Sequence, residues 1–586
     1  MAGMQASRRA AIMRAFSLVI ASVSAIAAGW AFLHIIGGDE PNWLDFLRAG
    51  LLFIATFWLV FGGLVGVIGA FASKTMITCV PTLPTGKTVV LIPIYNEDPV
   101  ETFARIAAMN REIVALGVAS RFDFAILSDT TNLEVAAQEI DAFELLTREP
   151  EAEARIFYRR RERNTGRKAG NIEDFVRNSG AAYDYAVILD ADSLMEGKTL
   201  IALAERMDND PRLGLLQTVP TVINADSLFG RMMAFSAAYL SPFFARGAAL
   251  AQGDEGPYWG HNAIVRVRAF AQCCGLPVLS GRPPWGGHIL SHDYVEAALL
   301  SRGGWKVRMD PAIPGSYEHG PENLIEYAKR DRRWCQGNLQ HHKVLAAPKL
   351  KFWNRFTLLQ GIMAYLASPI WLALMITSLL ATAYPDSPGE RLQFAPWILG
   401  VGVAAVLLLP KLAIALRGAF DGTNAQFGGT ARVLLSTLGE IVISTIMAPI
   451  LLAFQTRAVI QIFLGLDGGW PATERDAQVV PMKTAIGASW WIMLVGIITI
   501  GFTMVEAPAF VLWLLPVTVP AVLAPLIIRL TSHSASSPLM KNIFSIVTER
   551  QVVPVIAENK RILQQWSKPQ PVSVAPAVLE LTAENA

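Results

Sequence analysis

Cysteine is scarce: four in 586 residues, Cys79, Cys273, Cys274 and Cys335, with no C-x-x-C pair. That argues against a zinc site or a disulfide framework and for reduced thiols. Charge is sparse too, at 17% of residues, and it nearly cancels to a net +2. No nucleic-acid partner is implied. No internal repeat is present, so no repeat architecture is expected. Hydrophobic residues make up 53% of the chain. The composition is too apolar for a large soluble protein and too charged for one wholly in a membrane.

A spanning helix needs roughly 20 apolar residues. Windows at 14–36, 49–73, 356–381, 395–416 and 486–505 meet this, and 508–530 does so despite Pro516, Pro520 and Pro525. Prolines are better tolerated in membrane helices than in soluble ones. The stretch 431–466 is apolar but broken by Glu440 and Arg457. It is expected to be interfacial or re-entrant, giving six spans, with eight as the alternative. Glu440 marks either a functional site or a group facing water at the interface. Arg8, Arg9 and Arg14 precede the first span, and Asp39, Glu40 and Asp45 follow it. The positive-inside rule then places the N-terminus in the cytoplasm. A signal peptide over 1–36 is disfavoured, because a second span follows directly.

Between the second and third spans the pattern changes. Short apolar runs at 87–94, 122–128, 154–158, 184–190 and 213–218 alternate with helical patterns at 100–117, 132–148, 168–179 and 198–208. This predicts a doubly wound, parallel α/β sheet domain inserted between transmembrane helices. The expected division is 1–80, two spans; 81–320, the α/β domain; 321–354, interfacial helices; and 355–418, a span pair. Then follow 419–485, the interfacial segment with a loop; 486–530, a span pair; and 531–586, a tail disordered from Pro569 onward. Residues 74–86, with Pro81 and Pro84, read as a linker.

Ligands of such sheets bind at the carboxyl ends of strands. Tyr95-Asn96-Glu97, Asp129 and Asp190-Ala191-Asp192 all fall there. Asp190 and Asp192 flank one residue, so both carboxylates can address one hard cation, Mg²⁺ or Mn²⁺; a solvated turn is the plainer alternative. Lys168 opens a helix and can meet a phosphate there. Asp293 suits a base that deprotonates an acceptor hydroxyl, or a helix N-cap. Arg330, Arg333 and Trp334 share one helix face; they can stack a sugar and neutralise a diphosphate, or line an amphipathic surface helix. Tyr258, Trp259, His261 and Asn262 have the flat faces and polar groups of a carbohydrate subsite. Trp470, Thr473 and Arg475 lie in a Gly- and Pro-rich loop that could close over a nucleotide or simply connect two helices.

These residues resemble the processive family 2 glycosyltransferases, which include cellulose, chitin and hyaluronan synthases. Their D, D-x-D, [TS]-x-D and Q-x-x-R-W series is matched by Asp129, Asp190/Asp192, Asp293 and Arg330-x-x-Arg333-Trp334, over roughly residues 87–340. The 470–476 loop resembles the gating loop of cellulose synthases. A closer resemblance is to the glucans biosynthesis glucosyltransferase H family, through Tyr258–Arg266, Gly287–Asp293 and Lys329–Gln340. Arg330 stands where cellulose synthases have Gln, which argues against carrying over their β-1,4 linkage.

The resemblance implies a GT-A-like domain and a metal-dependent, inverting, UDP-glucose-dependent glucosyltransferase of a bacterial inner membrane, with the catalytic domain and both termini cytoplasmic. It implies a β-1,2-linked glucan backbone, threaded between the membrane helices to the periplasm. It assigns Asp190 and Asp192 to metal and diphosphate, Tyr95, Asn96, Glu97 and Asp129 to the nucleoside, Asp293 to the base, and Arg333 and Trp334 to acceptor and leaving group. Acyl carrier protein and a periplasmic glucan-modifying protein are its candidate partners. The rival readings are a synthase of another β-glucan, such as a cellulose-like polymer, and a non-enzymatic membrane transporter or scaffold.

Overall fold

A computed structural model describes residues 2–35, 41–72, 83–383, 395–467, 479–535, 537 and 542–567. The linker over 74–82, the loop holding Trp470, Thr473 and Arg475, and the tail beyond 567 lie outside the described residues.

The apolar runs form strands: β1 Thr88–Ile94, β2 Phe122–Ser128, β3 Ile156–Arg160, β4 Tyr185–Ile188 and β5 Leu194–Met195. They continue as β6 Leu213–Gln217, β7 Thr221–Ile223, β8 Ala263–Arg266, β9 Lys306–Met309 and β10 Ser316–His319. Seven strands build the main sheet in the order β3-β2-β1-β4-β8-β6-β9. It is parallel except for β8, which runs antiparallel to both β4 and β6. The expected doubly wound parallel sheet is present, with this one strand reversed. The reversal puts the start of β8 beside the end of β4, so the residues just before β8 reach the edge where ligands bind. The strands read as continuous apolar runs because both faces are covered. Val90 and Ile92 enter one core while Val89 and Leu91 enter the other, as alternation along a strand requires. A second sheet, β5-β10-β7, packs at the side.

Six described helices are long and apolar enough to cross a membrane, or seven if the pair Pro508–Val522 and Ala524–Thr531, bent by 62°, counts as one span. The apolar helices mark a membrane protein. Helix Thr430–Phe463 passes this test, yet it lies along helix Leu324–Gln340. Near its start, Val433 shares a core cluster with Phe229, Phe235 and Leu324. Near its end, Ile462 packs with Cys335 and Leu339, and Arg332 Nε donates to Gln461 at 3.0 Å. Glu440, on this helix, is buried and pairs with Lys411 of helix Ala395–Phe420, so it does not point to water.

The sheet domain is fastened to the membrane helices by close backbone contact. Helix Trp43–Phe71 crosses helix Ser241–Gln252 at two glycines. A Cβ on Gly69 would stand 1.8 Å from the Phe243 carbonyl oxygen, and one on Gly247 would stand 1.9 Å from that of Val65. Arg14, in the first helix, donates to the Ala251 carbonyl at 2.7 Å and pairs with Glu255 at 2.9 Å. The helix Pro554–Trp566 also joins the domain: Val555, Ile556 and Ile562 complete its first core, and Glu558 pairs with Arg111 at 2.6 Å. A single added methyl tests the crossing. Gly69→Ala is expected to destabilise the protein by about 1–3 kcal/mol, read as a lower thermal midpoint in detergent. Gly50→Ala, on the same helix with nothing within 4 Å, is expected to show no such loss.

Candidate active site

The ends of β1, β2 and β4 carry Asn96, Asp129 and Asp190. Asn96, at φ +54°, uses its side-chain oxygen to accept from the amides of Thr131 and Asn132, at 3.1 and 3.0 Å. It thereby ties the loop after β1 to the loop after β2. The Tyr95 amide donates to Glu97, which closes the first loop on itself.

Asp129 is buried and held from several sides. Arg161 Nε and Nη2 donate to its two oxygens at 2.8 and 2.7 Å, and Asn171 Nδ2 donates to Oδ1 at 3.0 Å. A forked guanidinium on a carboxylate fixes its plane as well as its charge. Arg161 was not singled out in the sequence, although a carboxylate at a buried strand end calls for such a partner.

The Asp190-Ala191-Asp192 turn is locked by the Ser193 amide, which donates to the Asp190 carbonyl at 3.0 Å. Lys168 Nζ donates to Asp190 and, at 2.7 Å, to the Gly260 carbonyl. Burial pushes the Asp190 carboxyl up, but Lys168, His261 and Arg330 outweigh it and hold the group well below the usual carboxylate range. It therefore stays ionised. His261 Nε2 lies 3.5 Å from Glu318 Oε2. Glu318 comes from β10 in the side sheet, and no sequence signal marked it as part of the site.

Asp293 stands beside Gly260, whose carbonyl accepts from the same Lys168 that holds Asp190. A Cβ on Gly260, at φ +85°, would lie 3.5 Å from Asp293 Oδ2. Burial raises the Asp293 carboxyl, His292 opposes that rise and Glu296 adds to it. Asp293 lies in the first turn of helix His292–Arg302; Ser291 occupies the N-cap position.

Asn96, Glu97, Asp192 and Arg330 line one cavity of about 330 Å³. The Arg330 guanidinium lies 5.5 Å from the Trp334 ring, and Trp334 keeps 43% of its surface exposed. Arg333 is half-buried on the same helix. Asp331, between the two arginines in sequence, is turned inward; burial pushes it up to about 6 against hydrogen bonds from Gln455 and Tyr365.

Two expected acceptor contacts are corrected. Tyr258 is fully buried in the second core and presents no face to a sugar. Asn262 is also fully buried, and its Nδ2 donates to Ser316 Oγ at 2.8 Å and to the Tyr317 carbonyl at 3.3 Å, which ties the end of the main sheet to the side sheet. Trp259 and His261 remain half-buried beside the cleft.

Among the described residues no group of three His, Cys, Asp or Glu side chains is placed to hold a metal. Asp190 and Asp192 offer carboxylate oxygens, the donor type that a Mg²⁺-like ion prefers.

The chain matches the glycosyl transferase family 2 over residues 89–274 and the glycosyl transferase family group 2 over residues 185–409. It is 50% identical to the glucans biosynthesis glucosyltransferase H of Cereibacter sphaeroides, over 97% of this chain and 98% of that protein. It is 37% identical to the protein of that name from Shewanella sp. strain ANA-3, over 93% and 79% of the two chains. For Vibrio cholerae the figures are 38%, 86% and 71%. Among solved structures, S. aureus TarS 1–349 in complex with UDP-GlcNAc aligns at 12% identity and a TM-score of 0.28, covering 58% of this chain and 87% of that one. This last likeness is too distant to carry an argument. The fold, the acidic series and the identity along almost the whole chain agree: the chain belongs to the glucans biosynthesis glucosyltransferase H family of glycosyltransferases.

Proposed function

We propose that this protein polymerises glucose from UDP-glucose into a β-1,2-linked glucan backbone, with inversion, and passes the chain across a bacterial inner membrane. The observation that carries the reading is Asp293, a half-buried carboxylate with a raised pKa beside Gly260, whose carbonyl shares Lys168 with the ionised Asp190. Two carboxylates with pKa values pushed apart mark separate roles, one able to take a proton and one that stays ionised. Asp293 takes the proton of an acceptor hydroxyl as that oxygen bonds to the anomeric carbon, and the bond from that carbon to the diphosphate oxygen breaks. A divalent ion, held by Asp190 and Asp192, supplies positive charge to the diphosphate when bound. Arg330 and Arg333 face the leaving group, and Trp334 offers its ring to the acceptor sugar. Asn96 and Glu97, with the Asp129–Arg161 pair, wall the nucleoside end.

The topology we propose has six spans, with helix Thr430–Phe463 lying at the membrane surface beside helix Leu324–Gln340. Arg14 docks on the catalytic domain, and helix Pro554–Trp566 completes its core. In this proposed topology both ends share the side of the nucleotide site, the cytoplasm.

Inverted membrane vesicles, labelled UDP-glucose and Mg²⁺ test the function. Wild type is expected to make polymer whose methylation analysis reads 1→2. Asp293→Asn is expected to lose about 10²–10⁴-fold in rate while still binding UDP. A 1→4 or 1→3 product would overturn the linkage. The pH profile gives a second test. The base must be ionised, so activity falls as pH drops through the raised pKa of Asp293. Positive charge on His292 holds that pKa down, so His292→Gln is expected to move the acid limb of kcat/KM toward higher pH.

A further inference from the structure

Helix Pro99–Ala115 begins at the nucleotide loop and presents Arg105 to the cleft. The Arg105 side chain is only 3% exposed. Its Nη1 donates to the carbonyl of Ala191 at 2.9 Å, and its Nη2 donates to Glu101 Oε2 at 2.8 Å. Ala191 is the residue between the two acidic members of the turn. The same guanidinium lines the cavity that holds Asp192 and Arg330.

Burying a cation is costly unless something returns the energy. Glu101 is a weak return, since its side chain is 51% exposed and exposed pairs contribute little. The contact that needs a buried guanidinium is the Ala191 carbonyl. Its orientation sets the peptide plane that joins Ala191 to Asp192, and so the direction in which Asp192 leaves the backbone relative to Asp190. Positive charge at that carbonyl also opposes the mutual repulsion of two carboxylates one residue apart. The helix that carries Arg105 is itself immobilised: Arg111 holds Glu149 through two hydrogen bonds and Glu558 through a third, at 2.5, 2.6 and 2.6 Å.

We propose that Arg105 is the positioning residue of the Asp190-Ala191-Asp192 turn and sets the affinity of that turn for the divalent ion that accompanies the donor diphosphate. The proposal rests on the metal role assigned above to Asp190 and Asp192.

Purified full-length protein in detergent, with UDP, is titrated with Mn²⁺, and bound ion is read from the loss of the free-ion electron paramagnetic resonance signal. Arg105→Gln is expected to weaken Mn²⁺ binding about tenfold, the equivalent of about 1.4 kcal/mol. Arg105→Lys, which keeps the charge, is expected to lose less. Glucan synthesis should show the same shift in the Mn²⁺ needed for half-maximal rate, with kcat at saturating Mn²⁺ within about twofold of wild type. A merely structural arginine would instead lower kcat at every metal concentration, and that result would overturn the proposal. Unchanged Mn²⁺ binding in Arg105→Gln would overturn it too. Should Arg105→Gln not fold, Arg105→Lys decides: unchanged binding overturns the proposal and weaker binding supports it. Wild-type protein that binds no Mn²⁺ with UDP would instead remove the metal reading of the site, and the role of Arg105 with it.

Discussion

The repulsion among carboxylates gathered at one cleft is the constraint around which this domain is arranged. Asp190, Asp192, Asp293, Glu296 and Glu318 converge from three segments of chain. Unneutralised, they would protonate or push the cleft apart. Cationic and imidazole groups are interleaved among them: Lys168 on Asp190, His261 between Asp190 and Glu318, His292 on Glu296, and Arg330 above. Each needs its own element in place. Helix Arg167–Ser179 must start where Lys168 reaches the turn, and β8 must run backwards so that Gly260 and His261 arrive beside Asp190. The one antiparallel strand is therefore part of the site's electrostatics.

Much of this was legible in the sequence because local chemistry dictated it. Strands such as Val89-Val90-Leu91-Ile92 announce burial on both faces, and acidic residues just past such runs announce a ligand edge. What could not be read came from tertiary contacts. Arg161 and Asn171 meet Asp129 across more than thirty residues of sequence. Glu318 arrives from a different sheet, and Arg105 looks like any arginine on an amphipathic helix. Tyr258 and Asn262 misled in the opposite way. Tyr and Asn beside a Trp suggest a sugar platform, but each is turned inward, one to fill a core and one to satisfy backbone and hydroxyl groups between two sheets. Residue type indicates what a side chain is able to do; only the pairing of strands decides which way it points.

The membrane helices and the catalytic domain form one mechanical unit. Backbones touch at Gly69 and Gly247, which leaves no room for sliding. The Tyr239 hydroxyl, in a π-helical turn of the domain, donates to Asn424 at 2.7 Å beyond the end of helix Ala395–Phe420. Asp331 faces helices Phe352–Ala383 and Thr430–Phe463 while Arg330 on the same helix faces the cleft. Trp334 thus stands on a helix whose other side is packed on the apolar helices.

The helix Pro554–Trp566 carries a consequence for biogenesis. Its Val555, Ile556 and Ile562 belong to the same core as β1 and β2, which lie more than four hundred residues earlier in the chain. The catalytic domain is therefore topologically open while the ribosome is still making the protein. Its early strands must wait, with one flank uncovered, until the later hydrophobic helices have been handed to the membrane and the last helix emerges. Assembly order is thus built into the fold: the first core is completed only after the later hydrophobic helices have been made.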